Sequence, residues 1–187
     1  QSEIRGFVSN VKTSISQGIG QALGQIGFSS VTEGVKSLVR GMIDANAEWE
    51  DYNTQFEVML GSASKAKSFM QDLQKMANIT PFETKDLARS SQTLLAFGTA
   101  QQKVIPIMKM IGDISMGNRD KFSRLTLAYS QMSSTGRLMG QDLLQMIDAG
   151  FNPLTIISQK TGMSMADLKK KMEQGAISAD MVTQAFQ

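Results

Sequence analysis

The chain has no cysteine and no histidine among its 187 residues. The first absence rules out disulfides and thiolate metal sites, and suits a reducing compartment. The second removes the commonest general base and metal ligand. Only three prolines occur, and aromatic residues make up 6% of the chain. No apolar run approaches the roughly 20 residues that a membrane-spanning helix needs. No run of alternating β-branched residues argues for a sheet. The formal net charge of +2 is too small for a dedicated nucleic-acid binder, whose basic face dominates its composition.

Catalytic signatures are missing as well. There is no GxSxG elbow, no P-loop GK[ST] and no HExxH. Nothing in the chain builds a nucleophile–base pair from Cys or His. The expectation is a non-enzymatic protein with no catalytic residue, no cofactor and no metal. The chain opens on Gln1 without a basic-then-apolar leader and stops at Gln187 inside a helical pattern. Both ends read as those of a piece of a longer protein.

What is present is helical periodicity. From Ile4 to Ile26 the apolar residues Ile4, Val8, Val11, Ile15, Ile19, Ala22 and Ile26 recur at steps averaging about 3.67. Gly18, Gly20, Gly24 and Gly27 interrupt that stripe, each costing about 1 kcal/mol against alanine in a helix interior. The stripe reads as a helix that needs a partner, either another helix or a membrane surface. Its polar face holds Gln and Ser instead of Lys and Arg, which favours the helix. GIGQALG misses the dinucleotide pattern GxGxxG by one residue and follows no strand, so that reading is rejected.

Ser30-Val31-Thr32-Glu33 is a capping box. A heptad seam follows it through Val31, Val35, Leu38, Met42, Ala45, Trp49, Tyr52, Phe56 and Met59. Glu48, Glu50, Asp51 and Glu57 lie along the same helix and read as a solvated acidic face. Gly61 ends this helix. The next covers Ala63–Asn78 with Ala66, Phe69, Met70, Leu73 and Ala77 inward. A further helix begins at Thr80, ahead of Pro81, or at Thr84, and runs through Leu87, Ser91, Leu94 and Leu95 to Gly98. Another starts just after Thr99, with Pro106 confined to its first turn, and runs through Val104 to Ile114. After Gly117-Asn118, a helix buries Phe122, Leu125, Leu127, Ala128, Tyr129 and Met132. Lys169-Lys170-Lys171 sits where cations favour a helix C-terminus.

The stretch Gly136 to Pro153, GRLMGQDLLQMIDAGFNP, organises the rest. Gly136 and Gly140 bracket Arg137-Leu138-Met139 as two glycine-permitted turns. A short helix follows with Leu143, Leu144, Met146 and Ile147 on one side and Asp142 and Asp148 off it. Gly150 takes the left-handed position that ends it, and Pro153 starts the next helix, which Gly162 closes. Ser164, with Asp167, and Ser178 cap the last two. The fold expected is all-α, with an extended N-terminal helix or helices followed by a compact multi-helix domain and no sheet. Its divisions are a glycine-rich amphipathic segment at 1–29, a long heptad-patterned helix at 30–60 and a compact helical domain at 61–187. Fourteen methionines read as adaptable core filler, or as a surface that repacks against several partners.

That corner, together with Thr80-Pro81-Phe82-Glu83, Leu94-Leu95-Ala96-Phe97-Gly98 and Ile105-Pro106, resembles the tape measure domain of tail tape measure proteins of long-tailed bacteriophages and prophages. The resemblance covers about Phe56 to the C-terminus, some two-thirds of the chain. Its motif positions are Thr80, Pro81, Phe82, Leu94, Leu95, Phe97, Gly98, Pro106, Gly136, Arg137, Leu138, Met139, Gly140, Leu143 and Gly150, and they imply structural roles. Asn118-Arg119-Asp120-Lys121 departs from the pattern in being more charged. The resemblance implies a protein that occupies the tail tube lumen, sets tail length while the tube polymerises, and leaves ahead of the DNA. It implies self-association and partners among tail tube, tail tip and assembly chaperone proteins. The implied location is the virion, and the host cytoplasm during assembly. Two other readings stay open: host membrane contact through residues 1–28, and a helical adaptor unrelated to phage.

Overall fold

The structure is a computed structural model and describes residues 47–187. The glycine-rich stripe, the capping box at Ser30 and the first part of the heptad seam lie outside the described residues. Glu48–Gln187 forms one compact unit. Nine helices make it up among the described residues: α1 (47–60), α2 (Ala63–Ile79), α3 (Thr84–Ala96), α4 (Gln101–Ser115), α5 (Arg119–Thr135), α6 (Gly140–Asp148), α7 (Pro153–Thr161), α8 (Met165–Glu173) and α9 (Ala179–Phe186). No strand occurs among them. A single antiparallel bridge joins Arg137 and Ser178. The fold is all-α.

Helix α5 is the hub. It packs against α3, α4, α6 and α9, and buries Phe122, Leu125, Ala128, Tyr129 and Met132. Thr126 and Ser130 are buried with them, and each returns its hydroxyl to the carbonyl four residues back, 2.8 and 2.7 Å away. This lets a polar side chain sit in a core without an unmet donor. Leu127 differs from expectation. It is 41% exposed, because it lies with Ser123 and Arg124 on the face of α5 that is turned to solvent.

Helices α1 and α2 form a hairpin turned at Gly61 (φ +66°). Phe56 is fully buried, edge-on to Phe69 with ring centroids 5.0 Å apart. Trp49 and Tyr52 are partly buried against the same core, whereas Met59 is 40% exposed and leaves the seam. Met76 is 2% exposed and takes the inward place expected of Ala77. Of the methionines, Met70, Met76, Met108, Met132 and Met146 are buried and only Met59, Met116 and Met139 are exposed among the described residues. Core filling is their main use.

Of the two helix starts left open at Thr80 and Thr84 the structure takes the second, and the start after Thr99 moves on by a residue. Thr80 is the C-cap of α2 and donates its hydroxyl to the Met76 carbonyl at 2.8 Å, so it cannot cap the next helix. Phe82 is 3% exposed and stacks on Phe122 with centroids 4.3 Å apart, which holds the segment non-helical until Glu83. The start at Thr84 is therefore the one adopted. Asp86 accepts from the Glu83 amide at 3.3 Å. Likewise Thr99 is spent on the previous helix, its amide donating to the Leu94 carbonyl at 3.0 Å, and Ala100 takes the N-cap of α4. Pro106 is thus the sixth residue of α4, beyond its first turn. Pro106 and Gln102 are both exposed, so water can take the carbonyl that the missing N–H leaves free.

Ser164 and Ser178 cap where expected, and Asn152, which carries no such expectation from the sequence, caps α7. Asn152, Ser164 and Ser178 each accept from a backbone amide of the following helix at 3.1, 3.1 and 3.2 Å. Gly150 and Gly162 adopt left-handed φ of +79° and +73°. The last three helices form a layer that reaches the core through α9. Phe186 packs on Tyr129 and Phe151, and the Tyr129 hydroxyl meets Thr183 Oγ1 at 3.0 Å. Burial raises the Tyr129 pKa, a shift the Thr183 bond opposes.

Candidate interaction site

The corner is built from one turn and one clasp. Gly136 ends α5 with φ +75°, in the region where a side chain is strained. Gly140 differs from expectation: it is the first residue of α6, has no positive φ, and a Cβ there would meet nothing within 4 Å. The chain between them pairs with the segment before α9. Leu138 N donates to the Ile177 carbonyl at 2.9 Å, and Ala179 N donates to the Gly136 carbonyl at 3.0 Å. Leu138 is fully buried.

Arg137 crosses to the end of α8. A methyl at Gly175 would lie 2.7 Å from Arg137 Nη1, so the guanidinium rests on that glycine. The last carbonyls of α8 carry the negative end of the helix dipole there. Gly175 itself has φ +71°. Met139 is 41% exposed, and its amide donates to Asp142 Oδ2 at 3.0 Å. Asp142 is 5% exposed, not off the helix toward solvent as its place in the pattern suggests. It turns inward to close the first turn of α6. Desolvation raises its pKa, opposed by the Met139 hydrogen bond. Leu143 and Met146 are buried, but Leu144 and Ile147 stand 57% and 41% exposed. The apolar arc of α6 is wider than the surface it packs on.

The remaining motif residues form two other turns. Pro81 lies against Gly117, where a methyl would come within 2.9 Å of its Cγ, and Phe82 covers Gly112 at 3.2 Å from the same construction. Leu94 is fully buried and Leu95 partly so. Phe97 is 37% exposed, and Gly98 turns the chain at φ +87°. The motif therefore marks three separate caps and turns of the bundle, not one pocket.

The charged departure at Asn118–Lys121 is also structural. Asn118 caps α5, accepting from Lys121 N at 2.9 Å. Arg119 reaches Glu83 at 2.7 Å and Asp86 at 3.4 Å, which ties the start of α5 to the start of α3. Hydrogen bonds from Lys85 and then Arg119 lower the Glu83 pKa. Asp120 pairs with Arg124 at 3.6 Å. The Lys121 ammonium lies 3.6 Å from a methyl built on Gly150, at the C-terminal end of α6.

Among the described residues no group of three or more His, Cys, Asp or Glu could hold a metal. Glu48, Glu50, Asp51 and Glu57 are all exposed on α1. No described helix is long and apolar enough to cross a membrane. What the surface offers is apolar side chains: Val58, Ile79, Met116, Leu144 and Ile147. It also offers an open groove of about 390 Å³ between α2 and α4. A family model described as "Tape measure protein" matches residues 40–187. The chain belongs to the tape measure protein family. The match starts upstream of Phe56, so the family's pattern extends further into the heptad seam than the motifs indicate. The family is a structural one of phage tails, which accords with a helical unit whose motif residues are caps and packing contacts. Neither the curated proteins nor the solved structures give a match.

Proposed function

We propose that this chain acts in the phage tail as part of the ruler that sets tail length, with residues 61–187 as its interaction domain. In this reading residues 30–60 carry the extended helix and residues 1–29 a glycine-rich amphipathic segment that packs on a partner helix. A helix advances about 1.5 Å per residue, so extended helical sequence measures length, whereas a compact bundle adds little. The family match over residues 40–187 carries the reading. The exposed apolar side chains of α6 support its second half: Leu144 and Ile147, three residues apart, are neighbours on the helix surface, and adjoining exposed apolar residues mark an interaction surface. The protein lies in the tube lumen of the virion, reaches it from the host cytoplasm, and leaves ahead of the DNA. Its partners are tube, tip and assembly chaperone proteins and further copies of itself.

The test is a photo-crosslinking residue at Leu144 in the phage-borne protein. Adducts with tail proteins or with a second copy support the reading. A chain missing from purified tails, or one in tails without any protein adduct, overturns it. The glycine-interrupted stripe of residues 1–28 favours a second reading, contact with the host membrane during delivery. Leakage of liposomes treated with a peptide of residues 1–30 supports it, and absence of both binding and leakage removes it.

A further inference from the structure

Helices α2 and α4 run alongside each other, both packed on α3, and between them lies the open groove. Its floor is apolar: Phe69 and Met76 are almost fully buried, and Ile105 is partly buried. One edge ends in Ile79, a large apolar side chain 75% exposed. Its rim carries Lys75 on α2 and Lys109 on α4, together with Asp72, which pairs with Lys75 at 2.9 Å. From Phe69 to Ile79 the groove follows about 15 Å of helix, enough for two to three turns of another helix.

The charges of the unit are unevenly divided. Helices α2 and α4 together carry five lysines and two aspartates. Helix α1, from Glu48 on, carries four carboxylates and no cation. All four are exposed, and so is Val58, at 81%. Glu50, Thr54, Glu57 and Val58 recur at helical spacing, which gathers them on one outward face. That face is an apolar tip with acidic flanks. The groove is an apolar floor whose rim carries two lysines against one aspartate, with Gln101 and Gln102 beside them.

We infer that the α2/α4 groove receives the outward face of α1 from a second copy of this chain, Val58 closing over Ile79 and the carboxylates meeting Lys75 and Lys109. Such a contact is heterologous: the surface that gives is not the surface that receives, so copies join head to tail. It is a helix-in-groove contact whose apolar centre supplies affinity and whose charges set register. It stands whether or not the protein sets tail length. It does not use the apolar residues of α6.

Sedimentation velocity of the full chain tests it, at about 100 μM protein, where contacts of micromolar Kd are populated. The wild type associates at low salt, and high salt weakens the association because the rim pairs are exposed. Lys75→Glu with Lys109→Glu weakens it at least tenfold, as does Glu50→Lys with Glu57→Lys. Mixing the two variants restores a complex, because each reversed surface then meets its opposite. Ile79→Ser, which leaves every charge in place, weakens it as well. Far-UV circular dichroism identifies a variant that fails to fold, and the remaining reversed pair and Ile79→Ser then carry the test. A monomeric wild type overturns the inference. So do reversed variants that associate like the wild type, as they would if residues 30–46 alone joined the copies, or a mixture that stays apart.

Discussion

Replacing Gly136 and Gly140 by alanine, one at a time, gives two changes that look alike in GRLMG and have opposite effects. Gly136 has φ +75°, and placing an L residue in the left-handed region costs about 1–2 kcal/mol. Alanine's smaller unfolded-state entropy offsets about 0.4–1 kcal/mol of that, leaving a loss of about 1 kcal/mol. At Gly140 the backbone is already acceptable to any residue, and a methyl would touch nothing within 4 Å. Only the entropy term remains, so Gly140→Ala gains about 0.4–1 kcal/mol. At about 4 °C per kcal/mol for a unit of this size, the two melting temperatures separate by about 6 °C, on either side of the wild type. Calorimetry on the full chain reads the split, and urea denaturation checks it with m unchanged. Equal destabilisation by both alanines would refute the account, because it would mean that both glycines are held in left-handed turns.

Leu138→Ala, at a fully buried position in the clasp, lowers stability by about 2–5 kcal/mol, while Leu144→Ala, 57% exposed one helix on, stays within about 0.5 kcal/mol; paired urea curves compare them. Arg119→Ala costs at most about 1 kcal/mol despite its 2.7 Å contact, because Arg119 and Glu83 are both nearly half exposed, and the loss shrinks further in 0.5 M salt. Asp142 has its pKa raised in the folded protein, so its contribution is fully present below the unfolded value and is lost as pH rises through the folded one. Asp142→Asn keeps an oxygen acceptor for the Met139 amide and removes the charge. Its stability relative to wild type therefore rises with pH above the ordinary aspartate range and then levels off; a relative stability that falls with pH contradicts the assignment.

The parts of this fold legible in the sequence are those fixed by neighbours along the chain. Ser164 and Ser178 cap where they stand because an oxygen and an amide three residues on decide the matter. Gly150 and Gly162 end their helices because the left-handed turn is local. The rest was set by partners distant in sequence. Thr80 carries every local mark of a helix start, yet the stacking of Phe82 on Phe122, forty residues away, makes it a helix end. Leu127, Leu144 and Ile147 fit the apolar arcs of their helices, but the arcs exceed the surface available to cover them. Asp142 and Leu144 nearly exchange their expected places because a cap draws the carboxylate inward. The α2/α4 groove has no sequence signature, since its walls come from two helices apart in sequence that each pack on α3. The family itself was legible by resemblance, and the family match over residues 40–187 agrees with it.

The central claim divides the chain into a part that measures length and a part that binds. Negative-stain electron microscopy of tails tests it with two insertions of the same 28 helical residues in the phage-borne protein. One is placed in the heptad seam between residues 30 and 46, the other in the turn at Gly98-Thr99. The account predicts tails longer by about 42 Å for the first, from about 1.5 Å per residue, and tails of unchanged length for the second. Viable tails of wild-type length from the seam insertion, or equal lengthening from both, would contradict it.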